Sequence, residues 1–307
     1  MTVRFGLLGT GYWAAETQGA ALAAHPEVDL AAVWGRDPAK AEVLAQRYGA
    51  RAYGDLDPLL AEVDAVAIAL PPQVQGELAL RAARAGCHLL LDKPVALSPT
   101  VAAEITAEAD RRGLAGVVFF TQRFNPAIDD FLTKTAAAGN TNEAQAVVHA
   151  SMYAPGSPYA ESRWRQEEGG LWDLGPHALS VLVPVLGPVV EVMAMAAPRQ
   201  TTHLLTRHEG GAVGNLSVTV DAALDARCWQ VSFCTEEGWR EVPAGERSAV
   251  AAFGGAIDRL VAGTRPGAPA EPCGLAFGRD VVAVLSAAQT SVREGRAVAV
   301  GAELPRR

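Results

Sequence analysis

Along the first 120 residues, short runs of β-branched and apolar side chains alternate with stretches whose apolar positions recur at helical spacing. The runs predict strands at 3–8, 28–34, 63–69, 87–91 and 116–121, and the stretches between them predict helices at 12–24, 38–48, 73–85 and 98–112. Asp37-Pro38 and Ser98-Pro99 each place a capping side chain before a proline suited to the first turn of a helix. Such alternation predicts βαβ units and a doubly wound parallel sheet, an α/β Rossmann-type domain over residues 1–122.

After Asn125-Pro126 the pattern changes. A helix (127–137) precedes a strand (143–154), a Pro/Gly/Ser-rich loop (155–170) and a helix (171–186), followed by strands near 189–197, 201–208, 212–220, 228–234 and 239–242. Turns such as Glu209-Gly210-Gly211 and Glu236-Glu237-Gly238 favour antiparallel hairpins. Helices at 245–262 and 274–294 and a strand at 297–300 close the chain. This predicts a C-terminal α+β domain over 123–307 with a large, mostly antiparallel open sheet. An exposed sheet of that kind favours a homodimer or homotetramer over a monomer.

The chain has 307 residues, 50% hydrophobic and 20% charged, which suits two globular domains and excludes disorder and collagen. A formal net charge of −8 and the lack of a basic patch argue against a nucleic-acid partner. Cys87, Cys228, Cys234 and Cys273 form no C-x-x-C pair and have no histidine at zinc spacing, so reduced thiols in a cytoplasmic protein are expected; a Cys228–Cys234 bridge is the lesser alternative. The N-terminal apolar run carries Gly6, Gly9 and Gly11 as a strand and turn would. The run Ala178 to Ala197 is interrupted by Pro184, Gly187, Pro188 and Glu191, so a buried helix, turn and strand are expected, and no membrane anchor. Of the 26 basic residues only Lys40, Lys93 and Lys134 are lysines.

Directly after the first predicted strand stands Gly9-Thr10-Gly11-Tyr12-Trp13-Ala14, a G-x-G-x-x-A opening a helix. The first glycine permits the tight turn, the second lets a pyrophosphate approach the backbone, and the small alanine allows close helix–strand packing, with N–H groups and the helix dipole toward the phosphates. At the end of the second strand an NAD binder would place an acidic residue for the ribose hydroxyls, whereas here the residues are Gly35-Arg36-Asp37. A guanidinium there suits a 2′-phosphate, so NADP is favoured and NAD is the alternative. On the simpler reading Arg36 is solvated and Asp37 only caps the next helix.

Asp92-Lys93-Pro94 lies at the carboxyl end of the fifth strand, where open α/β sheets bind ligands. A lysine there can meet a substrate oxygen as a compact charge; the alternatives are a surface ion pair and a proline that merely ends the strand, and a cis Lys93–Pro94 bond is left open. Asp173 and His177, four apart in Gly169-Gly170-Leu171-Trp172-Asp173-Leu174-Gly175-Pro176-His177, share one helix face and can approach one hydroxyl. Alternatively, Asp173 caps that helix and His177 is a satisfied core histidine. His25, His88 and His149 fall on strand or loop positions without partners, His203 and His208 fall in a predicted hairpin, and with no carboxylate cluster near them no metal site is expected.

These landmarks in order, with Arg123-Phe124-Asn125-Pro126, Trp164-Arg165 and the closing Gly295-Arg296-Ala297-Val298, resemble the glucose-fructose oxidoreductase / inositol dehydrogenase (Gfo/Idh/MocA) family over essentially the whole chain. The resemblance implies reversible hydride transfer to sugars, cyclitols or related alcohols, with Lys93, Asp173 and His177 as the catalytic group. It further implies cofactor contacts from Gly9, Thr10, Gly11, Tyr12, Trp13, Gly35, Arg36, Leu70, Pro71, Asp92, Lys93, Trp164 and Arg165. Arg123 joins the catalytic group in binding substrate, and the open sheet is implied as a subunit interface. The family usually has Glu where Asp92 stands, which puts that residue's ribose contact in question. It commonly has Thr-Pro and a downstream His where Leu70-Pro71 and Gln75 lie, a change expected to leave the catalytic group untouched. The expectation is an NADP-dependent oxidoreductase of a polyhydroxylated, sugar-like alcohol or ketone. The rivals are a nicotinamide-dependent glycosidase, a deoxysugar ketoreductase, whose relatives tend to carry Tyr at the position of His177, and a non-catalytic NADP sensor.

Overall fold

The computed structural model describes residues 2–245 and 248–301. The chain divides into two compact units, Met1–Phe124 with Arg247–Arg279 and Asn125–Glu246 with Asp280–Arg307. Relative to the expected single break after residue 122, Arg123 and Phe124 also fall in the first unit, and a return segment rejoins it.

In the first unit, β1 (Val3–Leu8), β2 (Val28–Trp34), β3 (Arg51–Tyr53), β4 (Ala65–Ile68), β5 (His88–Asp92) and β6 (Gly116–Phe119) form a parallel sheet in the order β3-β2-β1-β4-β5-β6. Strands β4 and β5 bury their centres completely, from Ala65 to Ile68 and from Leu89 to Leu91, as a sheet covered on both faces requires. Between the strands run α1 (Ala20–Ala24), entered through a π-helical segment Ala14–Gly19, then α2 (Pro38–Tyr48), α3 (Leu56–Leu60), α4 (Pro72–Ala85) and α5 (Pro99–Arg112). Asp37 and Ser98 cap α2 and α5 through Ala39, Lys40 and Val101 N–H groups. Strand β3 and helix α3 were not expected: at three and five residues they are too short to show a period.

The second unit holds α6 (Pro126–Ala138), β7 (Glu143–His149), α7 (Arg163–Leu186), β8 (Val189–Ala197), β9 (Thr201–His208), β10 (Val213–Thr219), β11 (Cys228–Thr235), β12 (Gly238–Glu241) and β13 (Val298–Ala299). Its sheet runs β12-β11-β7-β10-β9-β8-β13 and is antiparallel except for the β7–β10 pair. Helix α7 covers one face, over Ala144, Ala146, Leu204 and Leu216. On the other face Met193, Leu205, Asn215, Gln145 and Ser232 align across five strands, and Met195, Leu205 and Trp239 are exposed. The expected strand at 143–154 ends at His149. The second half of the expected loop 155–170 is instead the start of α7, whose helical backbone is broken only at Gly169 (φ 65°, ψ −161°). Cys228 and Cys234 lie on one strand and are free thiols. The apolar run beginning at Ala178 is the end of α7, the cap Gly187 and β8; among the described residues no helix is long and apolar enough to cross a membrane.

The return segment carries α8 (Ala249–Gly263), capped by Ser248, and the start of α9 (Leu275–Glu294). The first residues of the helix expected at 245–262 include 246 and 247, which lie outside the described residues. Val118 N–H donates to the Cys273 carbonyl at 2.7 Å, Phe253 meets Phe119 edge-on with centroids 4.8 Å apart, and Arg259 Nη2 donates to the Arg123 carbonyl at 3.2 Å. These contacts bind the segment to the edge of the parallel sheet.

Candidate active site

In the first unit the glycine turn follows β1, and its geometry accounts for its residue types. Gly9 (φ 133°) donates its N–H to the Trp34 carbonyl at 2.9 Å, and a Cβ there would lie 2.5 Å from the Ala69 carbonyl oxygen. Gly35 leaves room for Thr10, whose methyl would otherwise be 2.5 Å from a Cβ. Gly11 is exposed and a Cβ there would touch nothing within 4 Å, so its bareness serves open space above the turn rather than packing. Ala15 N–H makes the helical bond to the Gly11 carbonyl at 2.9 Å. A helix start with open space over its first turn fits an anionic pyrophosphate. Tyr12 is exposed beside it, Trp13 packs toward Phe119 with centroids 6.4 Å apart, and Leu70 and Pro71 are half-buried at the end of β4. Arg36 is exposed, and the Asp37 carboxylate accepts from Ala39 and Lys40 N–H at 3.0 and 3.3 Å. Asp37 is therefore the helix cap.

At the end of β5 the Asp92 carboxylate turns to its own chain: Oδ1 accepts the Lys93 N–H at 2.8 Å and Oδ2 accepts Gln18 Nε2 at 3.4 Å. The Lys93–Pro94 peptide is cis. Gln75, 1% exposed, donates to the main-chain carbonyls of Asp92 and Pro94. Gln75 thereby holds the backbone on both sides of Lys93. Arg123 is buried in the turn after β6.

In the second unit, Gly170 permits the close approach of α7 to the sheet: a Cβ there would lie 2.6 Å from Thr219 Cα and 2.9 Å from its nitrogen. Asp173 is 1% exposed and accepts from Arg165 Nε at 2.8 Å. It lies inside the helix and is not its cap. The Arg165 guanidinium stacks on Tyr159 and Trp164, 4.5 and 4.6 Å from their ring centres, and donates to Ser162 Oγ. His177 follows Asp173 by one turn and is partly exposed, so it is not a sealed core histidine. Tyr153 donates its hydroxyl to Gln200 Oε1 at 2.8 Å, and burial followed by the Asp173 charge raises its pKa above the usual tyrosine range.

Four residues around these groups, Gln18, Gln75, Tyr153 and Tyr159, were not expected there from sequence. The available signals were Gln18 and Gln75 standing at apolar positions of helical patterns, and Gln75 standing where the family commonly has a histidine. His25, His88 and His149, expected to lack partners, have them. His25 pairs with Asp258 at 3.0 Å, His88 accepts the Ala115 N–H, and His149 bonds to Ser217. His208 bridges the Gly187 carbonyl and Thr206. All are structural contacts, and among the described residues no group of three metal-ligating side chains occurs.

Among known protein families, residues 3–120 match the model described as "Oxidoreductase family, NAD-binding Rossmann fold", and residues 132–239 match the "GFO/IDH/MocA C-terminal domain". The dTDP-3,4-didehydro-2,6-dideoxy-α-D-glucose 3-reductase of Streptomyces antibioticus is 28% identical over 72% of this chain and 70% of its own. The reductase of the same name from Saccharopolyspora spinosa is 30% identical over 70% of this chain and 67% of its own. The crystal structure of the WlbA dehydrogenase from Bordetella pertussis, in complex with NADH and UDP-GlcNAcA, shares the fold with a TM-score of 0.82 at 21% identity, covering 97% of this chain and 98% of that one. A nucleotide turn and a second-domain sheet matched in order along most of the sequence place this chain in the Gfo/Idh/MocA family of NAD-binding oxidoreductases.

Proposed function

We propose that the chain is an NADP-preferring oxidoreductase acting on a sugar, cyclitol or similar polyhydroxylated alcohol or its ketone. The observation that carries this reading is a partly exposed His177 one helical turn beyond a buried Asp173 that pairs with Arg165 at 2.8 Å. The nicotinamide, when bound, supplies reversible hydride acceptance. His177 takes the hydroxyl proton in the oxidative direction and returns it in the reductive one. Asp173, one turn before it, favours the imidazolium that results. To Lys93, in the first unit, we assign the positive charge that stabilises a developing alkoxide, and to Arg123, Trp164 and Arg165 a binding role.

The glycine turn, Leu70, Pro71 and Asp92 would hold the dinucleotide. Preference for NADP is supported at the end of β2, where Asp37 is engaged in capping α2 and an exposed Arg36 remains for a 2′-phosphate. Arg36→Ala is expected to weaken NADP binding at least tenfold and leave NAD nearly unchanged. Equal losses measured by fluorescence titration would refute the preference.

A panel of sugars, inositols and sugar-nucleotide ketones, assayed by nicotinamide absorbance, tests the substrate class. The names of the two reductases favour a second reading, reduction of a ketosugar nucleotide, which the same panel separates. His177→Ala should lower kcat by about 10² to 10⁴ with dinucleotide affinity retained; unchanged turnover ends the assignment. For the cytoplasmic, oligomeric form we propose pairing of two or four copies through the exposed sheet face around Met193, Met195 and Leu205. Leu205→Glu should shift the mass in light scattering toward the monomer, and an unchanged mass would refute that interface.

A further inference from the structure

The position that the family resemblance marks as altered, Gln75, lies in the first turn of α4 and is almost completely buried. Its Nε2 faces three main-chain carbonyls, Asp92 at 2.7 Å, Pro94 at 2.9 Å and Val95 at 3.3 Å, and its Oε1 accepts the Asp92 N–H at 3.1 Å. One side-chain amide thus grips the main chain immediately before and immediately after Lys93. The Lys93 N–H is held separately by the Asp92 carboxylate, itself approached by Gln18. Gly76 lets this turn of α4 close on the same segment, since a Cβ there would already sit 3.0 Å from Ala96 Cβ.

The choice of residue follows from donor and acceptor counting. The segment leaves the sheet after Asp92, and Pro94 has no N–H to offer, so its carbonyls need a donor from elsewhere. Glutamine brings two N–H donors and one acceptor on a single planar group. A neutral histidine brings one donor and one acceptor, an ionised glutamate none and two acceptors, and an aliphatic side chain nothing. Among these, only glutamine makes both carbonyl bonds while accepting the Asp92 N–H.

We propose that Gln75 is a positioning residue for Lys93, clamping the backbone on both sides of it and so fixing where its ammonium group is presented at the carboxyl end of β5. This rests on the reading that Lys93 acts in the reaction, but the clamp is measurable without activity. The chain has three lysines, so reductive methylation with ¹³C-formaldehyde yields few dimethyl-lysine NMR signals, and Lys93→Arg identifies the one from Lys93. In Gln75→Met the Lys93 signal is expected to move, with the signals of Lys40 and Lys134 unchanged. With the substrate found by the panel, kcat should fall at least tenfold with dinucleotide affinity within threefold. In a Lys93→Met background the same change should alter kcat less than twofold.

Gln75→His, which keeps one donor and one acceptor, should recover part of the Lys93 signal position and part of kcat, and it serves as the test if Gln75→Met does not fold. An unmoved Lys93 signal in a folded Gln75 variant, or an equal loss of kcat in both backgrounds, overturns the proposal. Full turnover by Lys93→Met with a moved signal in Gln75→Met would instead overturn the catalytic reading of Lys93 and leave the clamp standing.

Discussion

Replacing Arg165 with methionine removes the guanidinium from a carboxylate that water hardly reaches. Asp173 is 1% exposed and the Arg165 side chain 16%, with 2.8 Å between Nε and Oδ2. At roughly 4 Å between charge centres and an effective dielectric near 20, their attraction is about 4 kcal/mol. Stranding one member of a buried pair costs about 3–5 kcal/mol, and the partial exposure of Arg165 puts the expected loss at the low end, about 3 kcal/mol. Methionine keeps some of the stacking surface on Tyr159 and Trp164, so most of the loss is electrostatic. Asp173→Asn removes the stranded charge, and in that background Arg165→Met should cost only about 1 kcal/mol, a coupling near 2 kcal/mol. Urea unfolding followed by tryptophan fluorescence measures all four proteins. If the two single losses simply add, the ion pair does not stabilise this unit as argued, and the anchoring of Asp173 by Arg165 fails with it.

Gly170→Ala is expected to destabilise by about 1–3 kcal/mol, because the new Cβ meets the Thr219 backbone, which cannot swing aside. Since α7 carries Asp173 and His177, to which the proposed function assigns catalysis, turnover should fall with the melting temperature, and a variant as stable and active as the parent would refute the close approach. Stability should also fall on acidification. Burial lowers the pKa of His208 despite the opposing Gly187 carbonyl, and burial likewise lowers those of His88 and His149. Groups held neutral in the fold stabilise it fully above their unfolded pKa near 6.5 and lose that contribution as pH drops toward the folded value. The urea midpoint should therefore drop between pH 7.5 and 5.5, and His208→Gln should flatten that drop. Burial pushes the Cys87 thiol up to about 11, so it should resist alkylation at pH 8 until urea unfolds the chain; rapid labelling of the native protein would contradict its burial.

Local rules were enough to read the parallel sheet of the first unit, the glycine turn, the caps at Asp37 and Ser98 and the hairpins of the second sheet. Each depends on the period of apolar side chains, on glycine's freedom at positive φ, or on a cap within three residues, all written in contiguous sequence. Short β3 and α3 escaped because too few residues repeat to show a period, and the start of α7 escaped because a polar first turn before Gly169 looks like a loop. Only the tertiary structure decided that residues 248–279 return to the first unit, that Asp173 takes Arg165 as its charge partner, and that Gln75 holds the chain around Lys93. Those outcomes depend on which buried carbonyl or carboxylate lies within about 3 Å of which donor. That distance is set by the packing of elements far apart in the sequence, so no local pattern could encode it.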